Sequence, residues 1–147
     1  MILSTNGTIM SDPELALLID RLMRRIHFGL QERASEFDRK AVGPGGGIVL
    51  MTLAEMGPTG LNELTKRVAR DKSQMTRTIS SLEKKDLVLR ELSPNDGRVS
   101  IVSLTPEGEK VVQELMAAVA GVIDDILEPV SKEETETLKK LLMRIHS

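Results

Sequence analysis

The sequence contains no cysteine in its 147 residues. That absence excludes disulfide bonds, thiolate zinc sites, a cysteine nucleophile and thiol-based redox sensing. Tryptophan and tyrosine are also absent, and the aromatic residues are Phe28 and Phe37. Because single-stranded nucleic acids are commonly bound by stacking their bases on flat rings, that class of site is disfavoured. With His27 and His146 as the two histidines, we expect no histidine-based metal or catalytic cluster.

Long hydrophobic runs are missing as well. The longest, from Leu115 to Ile123, has nine residues, whereas a membrane span needs about 20. The first residues lack the basic and apolar regions of a signal peptide. We therefore expect a cytoplasmic protein with no membrane partner. Its length suits one domain with a core of ordinary size, and no motif implies a cofactor.

Charge is distributed unevenly along the chain, although the net charge is only −2. Residues 61–100 contain nine Lys or Arg and six Asp or Glu, a surplus of three positive charges. The remainder contains 11 basic and 16 acidic residues and is therefore acidic. A basic centre flanked by acidic arms is typical of a nucleic-acid-binding module. Solvated surface charge is the alternative that charge alone leaves open.

A long helix is predicted from residue 12 to residue 38. Asp12 can cap its first turn, and Pro13 stands where proline is favoured. Apolar residues then recur at helical spacing from Leu15 to Phe37. Residues 1–11 are polar and aperiodic and are predicted to be a tail or a flexible arm.

Two further apolar-striped helices are predicted between residues 105 and 147. The second begins at a capping box, Ser131 followed by Glu134. Apolar stripes of this length are hard to bury within one short chain. We therefore expect residues 12–38 and 105–147 to form a two-fold dimer.

The segment Gly43-Pro44-Gly45-Gly46-Gly47 interrupts the helical pattern. A phosphate-binding loop would require Lys followed by Ser or Thr after the last glycine, whereas Ile48 and Val49 stand there. We predict that the glycines form a flexible start to a short buried helix from Ile48 to Met56. A turn is predicted at residues 57–60.

Two short helices joined by a tight connection are predicted between residues 61 and 86. Asp71 caps the second helix, and Gln74 three residues later completes a capping box. Two helices joined so closely indicate a helix-turn-helix. The inward-facing apolar residues of the pair are Leu61, Leu64, Val68, Met75, Ile79 and Leu82.

The opposite face of the second helix carries hydroxyl groups, an amide and positive charge. Arginine can bind guanine, glutamine can bind adenine, and serine and threonine suit several bases. A recognition helix presents such residues in its first turns. The candidate DNA-binding residues of this helix are Lys72, Ser73, Gln74, Thr76, Arg77, Ser80 and Lys84. For this helix by itself, a polar face that is only solvated remains the alternative.

A β-hairpin is predicted directly after the helix pair. Residues 87–92 and 99–104 are rich in Val, Ile and Leu, and the segment between them, 93–98, consists of turn residues. A helix-turn-helix followed by a β-hairpin is a winged helix. Arg98 lies where it can enter a minor groove, and Asp96 can support it through a charge-assisted hydrogen bond. A surface ion pair without function is the alternative.

With these elements in place, the sequence resembles the MarR family of bacterial regulators over roughly residues 13–146. The first matching stretch is the helix pair from Leu64 to Val88. In the second, Asp96 to Val102 fits the family's Asp-x-Arg-x-x-x-aliphatic wing signature. The third, from Val102 to Gly108, matches the family's passage from wing to dimer helix.

The resemblance implies a mainly α fold with a small β-hairpin wing, in a single domain over residues 12–147. A winged helix-turn-helix at 44–104 would be flanked by dimerisation helices at 12–38 and 105–147. Such a protein is a homodimer that binds a pseudo-palindromic double-stranded DNA operator. It usually represses genes near its own, and it releases DNA when a small, often aromatic, effector binds between the dimer helices and the winged module.

The resemblance also assigns roles to residues. Ser73, Gln74, Thr76 and Arg77 would read or position bases, Arg98 would enter the minor groove, and Asp96 would support it. This chain departs from the family at Gly45-Gly46-Gly47, where bulkier and often aromatic residues usually line the ligand cavity. The effector is therefore unidentified, and the absence of cysteine excludes the peroxide-sensing branch.

Other functions are disfavoured by the residues present. Paired acids such as Asp124-Asp125 and Glu133-Glu134 fall near helix ends, where solvation and helix dipoles explain them, so we expect no enzyme. The main alternative is a dimeric winged-helix module that binds a protein without reading DNA. A wing that binds only protein has no need of both Arg77 and Arg98, which favours the DNA-binding interpretation.

Overall fold

The computed structural model describes residues 11–146. The predicted tail, residues 1–11, therefore lies outside the described residues except for Ser11. Within the described residues no helix is long and apolar enough to cross a membrane.

The described part of the chain folds into six α-helices and a small three-stranded sheet. The long helix α1 is capped by Asp12, whose carboxylate accepts hydrogen bonds from Glu14 N and Leu15 N, both at 3.1 Å. The elements in chain order are α1 (Pro13–Phe37), α2 (Gly43–Met56), β1 (Thr59–Gly60), α3 (Leu61–Val68), α4 (Lys72–Lys84), β2 (Val88–Leu92), β3 (Ser100–Leu104), α5 (Pro106–Ile126) and α6 (Lys132–Ile145). This composition confirms the predicted fold class, mainly helical with a β-hairpin wing.

The sheet has the order β1-β3-β2 and is antiparallel throughout. Strands β2 and β3 form the predicted hairpin, with Val88 opposite Leu104 and Leu92 opposite Ser100. Strand β1 was not predicted, because the sequence at residues 57–60 indicates only a turn. Thr59 gains its strand partner, Val102, from a part of the chain 43 residues away.

The chain divides into two compact units. Residues 34–118 form one unit and contain the whole of α2, α3, α4 and the sheet. The described residues 11–33 and 119–146 form the other. Helices α1 and α5 contribute residues to both units.

The core of the unit 34–118 is formed by residues from α2, α3, α4, α5 and the two hairpin strands β2 and β3. Leu64, Met75, Ile79 and Leu82 are buried as their spacing predicts, and Leu61 and Val68 pack at the edge of the same cluster. The other fully buried side chains are those of Val49, Leu50, Leu53, Leu87 and Val102. This core positions α3 and α4 against α2 and the sheet.

The glycine segment is part of α2, so the prediction of a flexible start is wrong. Helix α2 begins at Gly43 rather than at Ile48, and Gly46 and Gly47 are buried. A Cβ atom at Gly46 would lie 3.0 Å from Val42 Cβ and 3.5 Å from Leu82 Cδ2. The glycines therefore let neighbouring side chains approach the helix closely, which outweighs their low helix propensity.

In the unit formed by 11–33 and 119–146, most large apolar side chains are exposed. The close approach of α1 to α5 occurs at Gly29, where a Cβ atom would lie 2.8 Å from Val122 Cγ1. Among the described residues of this unit, one hydrophobic residue is buried, and that residue is Val122. The large apolar residues left exposed here are Leu15, Leu17, Leu18, Ile19, Leu22, Met23 and Phe28 on α1 and Leu141, Leu142, Met143 and Ile145 on α6.

Candidate nucleic-acid interface

Helix α4 is fixed at its start by Asp71. The Asp71 carboxylate accepts a hydrogen bond from Gln74 N at 2.8 Å, as predicted. The reciprocal bond from the Gln74 side chain, which would complete a capping box, is not formed within residues 11–146. The Gln74 amide therefore projects from the first turn with its donors and acceptor available to a partner.

The face of α4 opposite Met75 and Ile79 is open to solvent. Six of the predicted residues on it are exposed and Ser80 is half-buried. Thr76 Oγ1 donates to Lys72 O at 2.9 Å, which turns its methyl group away from that carbonyl and leaves its oxygen able to accept. The exposed residues are Lys72, Ser73, Gln74, Thr76, Arg77 and Lys84.

The positive charges of residues 61–100 are only partly neutralised within the fold. Arg90 pairs with Glu83 at 2.9 Å, Lys66 lies 3.8 Å from Glu63, and Lys85 Nζ donates to Ala41 O at 2.8 Å. Arg98 pairs with Asp96. The basic residues whose side chains have no hydrogen bond or ion pair with a described residue are Arg67, Arg70, Lys72, Arg77 and Lys84. The surplus charge is thus concentrated on α3, α4 and the turn between them.

The wing presents Arg98 at its tip. The Arg98 side chain is 92% exposed, and its Nε lies 3.3 Å from Asp96 Oδ1. The same carboxylate oxygen accepts from Arg98 N at 3.1 Å. The predicted contact between these residues is therefore present, and it fixes the backbone of the tip as well as the side chain.

Arg70 was not predicted as a site residue. It lies in the α3–α4 turn, directly before the Asp71 cap, and it is half-buried. A Cβ atom at Gly45 would stand 2.8 Å from Arg70 Nη1 and 3.3 Å from its Cζ, so the guanidinium rests on the first turn of α2. No periodicity links positions 45 and 70, and no sequence signal could have paired them.

A cavity of about 640 Å³ lies between α1 and α5 in the unit formed by 11–33 and 119–146. Arg33 pairs with Asp125, and Arg24 pairs with Asp20. Arg21 and Arg25 have no ion pair with a described residue, and the ring of Phe28 is 61% exposed beside them. Glu32 also lines the cavity, so its four arginines outnumber its two acidic residues, Glu32 and Asp125, and lie beside an aromatic surface.

The described residues contain no cluster of three or more His, Asp or Glu that could hold a metal ion. The polar chemistry of residues 61–100 is that of hydrogen-bond donors, hydroxyls and unpaired cations on an exposed helix and a projecting hairpin. Such groups suit the edges of bases and the phosphates of a duplex.

Comparison with known proteins also indicates a DNA-binding protein. Residues 48–100 match the family model described as the MarR family. The HTH-type transcriptional regulator YsmB of Bacillus subtilis is 29% identical over 128 residues, which cover 86% of this chain and 88% of that protein.

Solved structures share the fold. A probable transcriptional regulator from Pseudomonas aeruginosa is 30% identical, with a TM-score of 0.65 over 84% of this chain and 92% of that chain. BpsR of Bordetella bronchiseptica is 21% identical, with a TM-score of 0.72 over 91% of this chain and 99% of that chain. The chain belongs to the MarR family of winged helix-turn-helix proteins, and it is a DNA-binding transcriptional regulator rather than an enzyme.

Proposed function

We propose that the protein is a homodimeric repressor that binds a pseudo-palindromic operator and releases it when a small organic anion binds. It acts in the cytoplasm, where its DNA target is accessible. The observation that carries the proposal is the exposed face of α4 with its amide, hydroxyl and guanidinium groups, together with the exposed arginine at the tip of the wing.

In this proposal α4 is the recognition helix and occupies a major groove. Ser73, Gln74, Thr76 and Arg77 read or position bases. Lys72, Ser80 and Lys84 lie on the same side of the helix and contact phosphates at the edges of the groove. Arg98 enters the adjacent minor groove, and its ion pair with Asp96 orients the guanidinium group.

The exposed apolar stripe of α1 supports the dimer. Leu15, Leu18 and Ile19 are each about half exposed, and leaving such a row of large side chains in water is unfavourable by roughly 25 cal/mol for each Å². A second copy of the chain covers the stripe on α1 and the apolar residues of α6. A two-fold dimer also presents two recognition helices to successive turns of a palindrome.

The basic cavity between α1 and α5 supports an anionic effector. Two unpaired arginines beside an exposed phenylalanine ring suit a carboxylate carried on an aromatic ring, because guanidinium binds carboxylate in a planar fork and the ring can stack. The BpsR structure is described as showing regulation of DNA binding by 6-hydroxynicotinic acid. That compound is an aromatic carboxylic acid of the same chemical class.

The test is binding of fluorescently labelled DNA from the region upstream of the coding sequence, measured by anisotropy over a salt series. A scrambled duplex is the control. Tight, sequence-selective binding with a steep salt dependence supports the proposal. If both duplexes bind equally weakly, selection from random DNA decides the question, and failure to enrich any sequence contradicts a specific operator.

The dimer interface and the effector site are tested by measuring how protein variants and added ligands change binding to the labelled operator. Leu18→Glu should produce monomers in sedimentation and weaken operator binding, whereas Ala54→Glu, which adds the same charge on the exposed surface of α2, should do neither. Adding aromatic carboxylic acids should release DNA from the unsubstituted protein. Arg25→Met should remove that response without changing operator affinity, and an unchanged response contradicts the assignment of this cavity.

A further inference from the structure

The guanidinium group of Arg70, in the turn between α3 and α4, lies against the first turn of α2. Arg70 lies over Gly45 on α2, and a side chain at position 45 would overlap it, with Cβ only 2.8 Å from Nη1. Gly46 and Gly47 accommodate apolar neighbours instead, Leu82 and Leu115. Of these three consecutive glycines, Gly45 alone has a charged group against it.

Arg70 is half-buried, yet its charge has no counterpart within residues 11–146. It has neither an ion pair nor a hydrogen bond there, although a guanidinium carries five N–H donors. Removing a charge from water without pairing it is unfavourable, and an apolar residue would fill the same place at lower cost. By contrast, Arg90 in the same unit is paired with Glu83. A half-buried arginine without a partner among the described residues indicates an anion supplied from outside the protein.

The position of Arg70 along the chain indicates that this anion is a phosphate of DNA. It immediately precedes Asp71, the cap of α4, and lies two residues before Lys72, where the exposed face begins. A helix that occupies a major groove is flanked by the phosphates of both groove walls. A positive group just before the first turn of that helix therefore lies beside a phosphate.

We propose that Arg70 is a DNA-phosphate contact and that Gly45 positions it by leaving room for the guanidinium. This inference rests on the DNA-binding function of α4. It also gives a reason for the glycine at position 45, whereas Gly46 and Gly47 serve the packing of the core. Arginine is suited to the task because its planar group can rest on the backbone and still donate a pair of hydrogen bonds to a phosphate.

The experiment uses the full chain and a labelled duplex selected from random DNA with the unsubstituted protein. Arg70→Met removes the charge and keeps the length of the side chain. We expect about tenfold weaker binding and a slope of log affinity against log salt that is smaller by about 0.9, as for the loss of one phosphate contact. Arg70→Lys should restore the slope but only part of the affinity, because an ammonium lacks the planar fork.

Gly45→Ala tests the positioning role without changing any charge. Its methyl group displaces the guanidinium, so affinity and salt slope should both fall toward those of Arg70→Met. The double variant should bind no worse than Arg70→Met alone, since both changes remove the same contact. Gly47→Ala is the matched control in the same helix, because its Cβ would meet Leu115 at an ordinary 3.7 Å.

The outcomes distinguish a failure of the proposed Arg70 contact from a failure of the proposed operator binding. Unchanged affinity and slope in Arg70→Met would overturn the phosphate contact. A loss of affinity with an unchanged slope and a lower unfolding midpoint would also overturn it, by showing a structural role. If Gly45→Ala binds like Gly47→Ala while Arg70→Met is impaired, the positioning role is wrong. If the unsubstituted protein selects no duplex, the operator itself is refuted.

Discussion

The carbonyl oxygen of Leu87 lies against the backbone of Gly108, so closely that a Cβ atom at position 108 would stand 2.1 Å from it. Thr105 strengthens the same junction, because its N–H donates to Leu87 O at 3.1 Å and its hydroxyl donates to Asp86 O at 2.6 Å. The start of α5 is thereby fixed to Asp86 and Leu87, which follow α4.

We therefore expect Gly108→Ala to lower the free energy of unfolding by about 3 kcal/mol, since a backbone oxygen cannot move aside as a flexible side chain can. Urea unfolding followed by circular dichroism at one fixed protein concentration measures the loss. Gly47→Ala is the control and should cause little destabilisation. Equal midpoints for the two variants would contradict the close contact.

The second prediction concerns the wing. Arg98→Ala should weaken operator binding by about 1–3 kcal/mol, because a minor-groove contact is lost. The sedimentation of the dimer should not change, since the Arg98 side chain is 92% exposed. Anisotropy with the operator and with a version whose flanks are G·C-rich measures the effect. Unchanged affinity on the operator would refute the minor-groove assignment.

Asp96→Asn provides a separate test of the support that Asp96 gives to Arg98. The change removes a negative charge near DNA, which by itself favours binding to any duplex. It also removes the ion pair that orients the guanidinium. We expect discrimination between A·T-rich and G·C-rich flanks to fall while affinity for random DNA is unchanged or higher. Undiminished discrimination would show that Asp96 has no orienting role.

The third prediction distinguishes base reading from phosphate binding on α4. Gln74→Ala and Arg77→Ala should each relax the preference at one base pair of the operator, by about 1–3 kcal/mol. Lys84→Ala, nearer the end of the helix, should weaken all duplexes alike and reduce the salt slope. Affinities for a set of single-base operator variants provide the measurement. A uniform loss in Arg77→Ala would make Arg77 a phosphate contact.

The fourth prediction concerns pH. Hydrogen bonds from the Ser131 backbone N–H and then from the Ser131 side chain lower the pKa of Glu134 below its ordinary 4.5. Because the pKa is lower in the folded state, the ionised carboxylate stabilises the start of α6 above pH 4.5. That contribution is lost as the pH falls through the lower folded pKa.

The matched variant for this effect is Glu134→Gln, which keeps a capping-box side chain but does not titrate. Thermal unfolding from pH 3 to pH 7 should show the unsubstituted protein gaining stability relative to the variant as the pH rises through the acidic range. Curves that remain parallel over the whole range would contradict the role of the Glu134 charge. Ser131→Ala should reduce the same dependence, because it removes the hydroxyl.

Local features of this fold could be predicted because their causes are close together in the chain. Asp71 caps α4 and Ser131 caps α6 through residues only three positions away. Met75, Ile79 and Leu82 are buried because their spacing places them on one side of a helix. The contact between Asp96 and Arg98 spans two residues of a tight turn. In each case the interaction energy depends on short-range geometry that the residue types themselves impose.

The sequence by itself thus determined the types of the main elements, the helix-turn-helix with its wing and the candidate residues on the exposed face of α4. Only the tertiary structure decided that the glycine run is helical, that Thr59 pairs with Val102 and that Arg70 rests on Gly45. These contacts join residues that lie tens of positions apart. Their stability comes from packing between elements, and it exists only after the core has brought those elements together.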